Sequence, residues 1–134
     1  MDERSRGTAV TGLVVGALVA LSFALLIRLL SPSLLLETHW RVMVYLACAL
    51  AAPPTVWFLQ WVARMRRLDQ QAVFTWAVAG AMTFDGLAIG FVPGLYGQTG
   101  QALAWVASAL LFAFASLILA GQVMLGRVVP ATAG

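Results

Sequence analysis

Four apolar stretches, each long enough to cross a lipid bilayer, constrain this chain more than any other feature. A spanning helix needs roughly 20 predominantly apolar residues. Residues 8–30, 41–63, 72–91 and 102–125 each meet that length. The first ends before Ser31-Pro32, the second at Arg64-Met65-Arg66-Arg67, the third near Pro93-Gly94 and the fourth at Gly126-Arg127. Of the 134 residues, 62% are hydrophobic and 10% charged, whereas a soluble domain carries about a quarter charged residues. A soluble chain of this size could not hide so much apolar surface. The expected fold is therefore all-α: one transmembrane domain over 1–134, an integral membrane four-helix bundle. Short connections lead us to expect consecutive helices as antiparallel neighbours.

The first stretch opens with Arg4 and Arg6, as a signal peptide would. Its apolar run is longer than a signal core, and Leu34-Leu35-Leu36-Glu37 is no small-residue cleavage site, so it reads as a retained span. Orientation follows from the arginines, because cytoplasmic loops carry the excess of basic residues. Arg4, Arg6, Arg64, Arg66, Arg67 and Arg127 fall on one side, and Arg28 and Arg41 on the other. Both termini are accordingly expected in the cytoplasm, with Arg64, Arg66 and Arg67 as the topology anchor and a contact for anionic lipid headgroups. Trp40, Trp57, Trp61, Trp76, Tyr96 and Trp105 lie mostly near span ends, where amphipathic rings sit at the headgroup level. The connection 31–40 has room for a short interfacial turn, and the tail 128–134 is expected to be loose.

The scarce reactive residues narrow the chemistry. One cysteine, Cys48, excludes an intramolecular disulfide and a cysteine-based metal cluster. One histidine, His39, excludes a bis-histidine haem, and nothing near it has metal-ligand spacing. No Ser/His/Asp arrangement has credible depth, and no glycine-rich phosphate loop is present. We therefore expect no catalytic residue, no metal, no cofactor, no nucleic-acid partner and no enzymatic activity.

Helices in lipid associate by close packing of small residues. The first span offers Gly12, Gly16, Ala20 and Ala24, the third Ala77, Ala81, Gly86, Gly90 and Gly94, and the fourth Ala104, Ser108, Ser116 and Ala120. Such rows drift about 40° per four-residue step on a helix of 3.6 residues per turn. They suit packing within the bundle first, and a dimer or a lipid or partner groove second. Pro53-Pro54 stands mid-span in the second helix. Each proline removes an amide donor, so the carbonyls of Ala49 and Leu50 lose their usual partners, and a kink is expected there.

Asp85 is the most informative residue, because it lies within the third span. A carboxylate in the bilayer interior costs several kcal/mol unless it faces protein or water, is paired, or carries a proton. Asp85 is six residues from Phe91, or about 9 Å along the helix. Arg28, near the same end of the first span, is the expected partner, with a guanidinium suited to bidentate pairing. The pair reads first as a structural device that sets helix register and second as a proton or ligand site. Glu37, His39, Arg41, Thr83 and Tyr96, with Gln98, fall towards the same face and would line an outer vestibule above it. Their plainer reading is ordinary solvated loop residues.

The order Ala79-Gly80-Ala81-Met82, then Asp85, an apolar run to Phe91 and Pro93, and a last span ending Leu119-Ala120-Gly121, with Arg28 closing the first span, resembles a family of small four-helix bacterial membrane proteins of unknown function. This chain has Pro93-Gly94 where that pattern has a Pro-Asn type step, so its outer turn is expected to differ. The resemblance implies four spans, a bacterial cytoplasmic (inner) membrane and a central place for Asp85, and no substrate. Small multidrug-resistance transporters are also four short helices, but they carry their essential acid in the first span, which has none here. The expectation is thus a polytopic accessory or structural subunit acting through helix–helix contacts, its partners membrane lipid and a larger membrane complex or a homo-oligomer. The alternative is a small transporter or proton-linked carrier using Asp85.

Overall fold

The computed structural model describes residues 2–126; Arg127 and the tail 128–134 lie outside them. The described chain is all-α. Its helices are α1 (Glu3–Arg28), α2 (Pro32–Leu36), α3 (Thr38–Met65), α4 (Gln70–Phe91) and α5 (Gly100–Gly126), with a 3-10 turn over Pro93–Tyr96 between the last two. Four of them, α1, α3, α4 and α5, are long and apolar enough to cross a membrane. The short α2 occupies the connection where an interfacial turn was expected.

The helix ends have local causes. Asp69 caps α4: its Oδ1 accepts from the Ala72 amide at 2.7 Å, which satisfies one of the donors that a helix start leaves free. At the end of α3 the Leu68 amide reaches back to the Ala63 carbonyl at 2.9 Å and the Arg67 amide to Arg64 at 3.1 Å. That paired closure needs a left-handed residue, ordinarily glycine. Arg67 takes the position, with φ 53°.

Antiparallel neighbours are not the main contacts, and here the expectation is corrected. The helix most closely packed on α1 is α4, and the one most closely packed on α5 is α3. Both pairs run parallel. Gly12 lies against Val73, Trp76 and Ala77, and Gly16 against Ala77. Ala24 and Ala88 share a core cluster, and Arg28 borders Gly97. Along the other pair, Arg41 meets Trp105 and Tyr45 meets Ser108 and Phe112. The reason is close packing. A Cβ on Gly16 would strike the backbone of Ala77, and one on Gly80 would come within 2.6 Å of the Leu13 carbonyl oxygen. Glycine on both sides brings the two backbones together, and that contact outcompetes adjacency in sequence. Helix α2, with its buried Leu35, packs on α3 and α5, and the connection it belongs to carries the chain across the bundle end.

Helix α4 is the centre. It touches α1, α3 and α5, and 44% of its apolar window is buried against 17–22% for the other three. Two cores result. One holds Val56, Leu59, Phe74, Ala77 and Val78. The other holds Ala24, Leu35, Ala88, Tyr96, Ala102, Val106 and Leu110 at the opposite end. Pro53 and Pro54 stand on the exposed face of α3, and the helix runs through them unbroken. The Thr55 hydroxyl donates to the Ala51 carbonyl at 2.8 Å beside them.

Candidate functional site

The inward face of α4 reads Val78, Ala81, Asp85, Ala88, all buried. The spacing of three and four keeps these residues on one stripe. Asp85 therefore sits where an apolar residue would be expected, with 4% of its surface exposed. Helix α4 ends at Phe91 because Val92 leaves helical geometry ahead of Pro93, at φ −135°, as residues before proline do. The 3-10 turn that follows swings Tyr96 back over the end of the helix. Tyr96 is fully buried, and its hydroxyl donates to Asp85 Oδ1 at 2.6 Å. Such a bond to a carboxylate is short and strong. Burial first, and then the hydrogen bond and charge of Asp85, hold the Tyr96 phenol above its ordinary range, so it remains a donor.

The turn is tied down a second time. Gln98 is buried, and its Nε2 donates to the Leu30 carbonyl just past α1 at 2.9 Å. Its Oε1 is also buried and has no hydrogen-bond partner. Gly97, between the two anchors, has φ 66°, and a Cβ there would lie 2.9 Å from Arg28 Cγ. Glycine is favoured on both counts. Tyr96 and Gln98 thus fasten the α4–α5 connection to α4 and to the end of α1.

Arg28 and Asp85 do not form the expected pair. Among the described residues no ion pair within 4.0 Å is formed. Arg28 is exposed, its stem against Gly97, and Asp85 has Tyr96 instead. The arginine keeps its charge at the surface because a phenol already meets the carboxylate at lower desolvation cost.

The vestibule does not assemble either. Thr83 is exposed, and two residues along a helix put it about 200° around from Asp85. Glu37 and His39 are exposed, with His39 stacked on Trp40 at 4.8 Å. Arg41 places its guanidinium over the Trp105 ring, 3.7 Å from the centroid, and donates to Thr38 Oγ1 at 3.0 Å. Of the expected group, Tyr96 alone is bonded to Asp85. Pairing by a phenol eleven residues ahead has a weak signal in the sequence, a tyrosine after a Pro-Gly step.

Arg64, Arg66 and Arg67 are exposed at the opposite end. The start of α1 joins them there, and Arg4 Nη2 donates to the Arg67 carbonyl at 3.4 Å. Asp2, Arg4, Thr8, Arg67, Asp69 and Trp76 line a cleft of about 630 Å³ at this end. A second, mostly apolar groove of about 330 Å³ runs between α3 and α5. Asp85 lines neither. No group of three or more His, Cys, Asp or Glu side chains suited to holding a metal is found among the described residues. No protein-family model, no curated protein and no solved structure matches the chain.

Proposed function

We propose that the chain is a multi-pass protein of a bacterial cytoplasmic membrane, with both termini in the cytoplasm, serving as a non-enzymatic accessory or structural subunit that acts through helix contacts. The observation that carries this reading is the closed state of Asp85. Its carboxylate is bonded within the chain to Tyr96, a residue that fastens a connection, and it borders neither cleft. A fastener of this kind stabilises a scaffold. The outward faces supply the contact surface: Leu18 and Leu26 on α1, Leu50 and Trp57 on α3, and Leu111 and Leu119 on α5 are all exposed. Such faces suit lipid or the helices of a larger complex or a second copy. The clustering of Arg4, Arg6, Arg64, Arg66 and Arg67 at one bundle end supports the orientation.

Extraction in mild detergent tests the role. The chain should co-purify with a larger membrane assembly or with itself, and a homogeneous monomer without a partner would overturn it. Reporter fusions to each terminus test the orientation, and both should report the cytoplasm.

A second reading, a proton-linked carrier using Asp85, has one observation in its favour. The buried Gln98 Oε1, two residues beyond Tyr96, lacks a partner and would accept from a water or a proton carrier. On that reading Asp85→Asn abolishes transport while the bundle still folds.

A further inference from the structure

The groove between α3 and α5 has a distribution of chemistry that the accessory role does not use. Arg41, Val42, Tyr45, Leu46, Trp105 and Phe112 line it. Val42, Leu46 and Phe112 are exposed apolar side chains, and the Tyr45 hydroxyl is already bonded to Ser108 Oγ at 2.7 Å. The walls therefore offer hydrocarbon contact with little hydrogen-bonding demand. Arg41 is the one charged lining residue, and it stands near the start of α3. Its guanidinium carbon lies over Trp105, 3.7 Å from the ring centroid. One edge donates to Thr38. A guanidinium has five N–H donors, so the remaining edge is available to an anion. Glu37, one turn earlier, forms no ion pair with it within 4.0 Å.

We propose that this groove binds one anionic glycerophospholipid, its phosphate on Arg41 and an acyl chain lying along Val42, Leu46 and Phe112. The argument is complementarity. A fixed cation at the helix end meets the headgroup, and an apolar channel descends from it towards the bilayer interior. A basic side chain at the mouth of an apolar cleft draws an anionic headgroup by charge. Trp105 contributes by orienting the guanidinium and by sitting, as indole rings do, at the headgroup level. The inference is independent of what larger assembly the chain joins.

The test is native mass spectrometry of the purified full chain in detergent, with phosphatidylglycerol or phosphatidylcholine of the same acyl composition added separately. One phosphatidylglycerol should be retained in preference to phosphatidylcholine, and inorganic phosphate should not displace it. Arg41→Gln should weaken retention about fivefold, since one basic side chain near the surface is worth about 1 kcal/mol towards anionic lipid. Arg41→Lys should keep most of the preference. Leu46→Trp, made from a position 54% exposed, should fill the groove and abolish retention with helicity unchanged. Equal retention of the two lipids, displacement by inorganic phosphate, or indifference to Leu46→Trp would each overturn the proposal. So would a dimer in which Val42 and Phe112 are covered by a second copy.

Discussion

Tyr96→Phe is the substitution that most directly tests how the buried acid is held. It deletes one oxygen and keeps a fully buried ring in place, so packing is preserved and the bond to Asp85 Oδ1 is lost. With 4% of its surface exposed, Asp85 has little access to water as a replacement. Leaving a buried acceptor without its donor costs about 1–3 kcal/mol, and more when it is charged. We expect about 2–3 kcal/mol, a change of roughly 30- to 140-fold in the folded-to-unfolded ratio at about 1.4 kcal/mol per tenfold. Arg28→Gln is the control. Arg28 is exposed and unpaired with Asp85, so its loss should stay within about 0.5 kcal/mol. Asp85→Asn keeps an acceptor for Tyr96 and should be mild alone. In the Tyr96→Phe background it should restore stability, because an unpartnered amide is cheaper to bury than an unpartnered carboxylate. Reversible unfolding in mixed detergent, run as a double-mutant cycle, reads all of these terms. If Arg28→Gln is the costly change, and its coupling to Asp85 exceeds that of Tyr96, the reasoning is refuted.

Four further outcomes follow from particular positions. Gly16→Leu should destabilise the bundle by about 1–3 kcal/mol or more, because a side chain there meets the Ala77 backbone; Gly86→Ala, which meets nothing within 4 Å, should stabilise α4 by about 0.5–1 kcal/mol, both read by the same unfolding assay. Arg67→Gly relieves a left-handed residue and should stabilise the α3–α4 turn by about 1 kcal/mol, visible as a higher unfolding midpoint. The Tyr96 phenol is held above its ordinary value of 10.0, so its contribution is fully present below pH 10 and declines as pH rises beyond it. The stability difference between the wild type and Tyr96→Phe should therefore be flat up to about pH 9 and narrow above pH 10; a difference that widens there would contradict the assignment.

The site was legible in part. Asp85 announced itself as a carboxylate within an apolar run, and its place on the stripe with Val78, Ala81 and Ala88 follows from helical spacing. Its partner did not. Arg28 was the natural candidate on charge, depth and the direction of the chain, yet a 3-10 turn brings Tyr96 back by a change of direction that no periodicity records. The vestibule failed for a simpler reason. Glu37, His39 and Arg41 share a bundle end with Asp85, but a shared end is not a shared face, and Thr83 points away from its near neighbour.

Length and hydropathy alone determined four long helices and their approximate limits, because a run of about 20 apolar residues leaves few other options. The stripe Gly12, Gly16, Ala20, Ala24 likewise marked the face α1 would bury. What only the tertiary structure decided was which helix meets that face. Short connections argued for neighbours in sequence, but adjacency is a matter of chain length, whereas contact is set by how closely two surfaces approach. The glycine-to-backbone fit of α1 on α4, and of Tyr96 on Asp85, depends on shapes that exist once the helices are side by side.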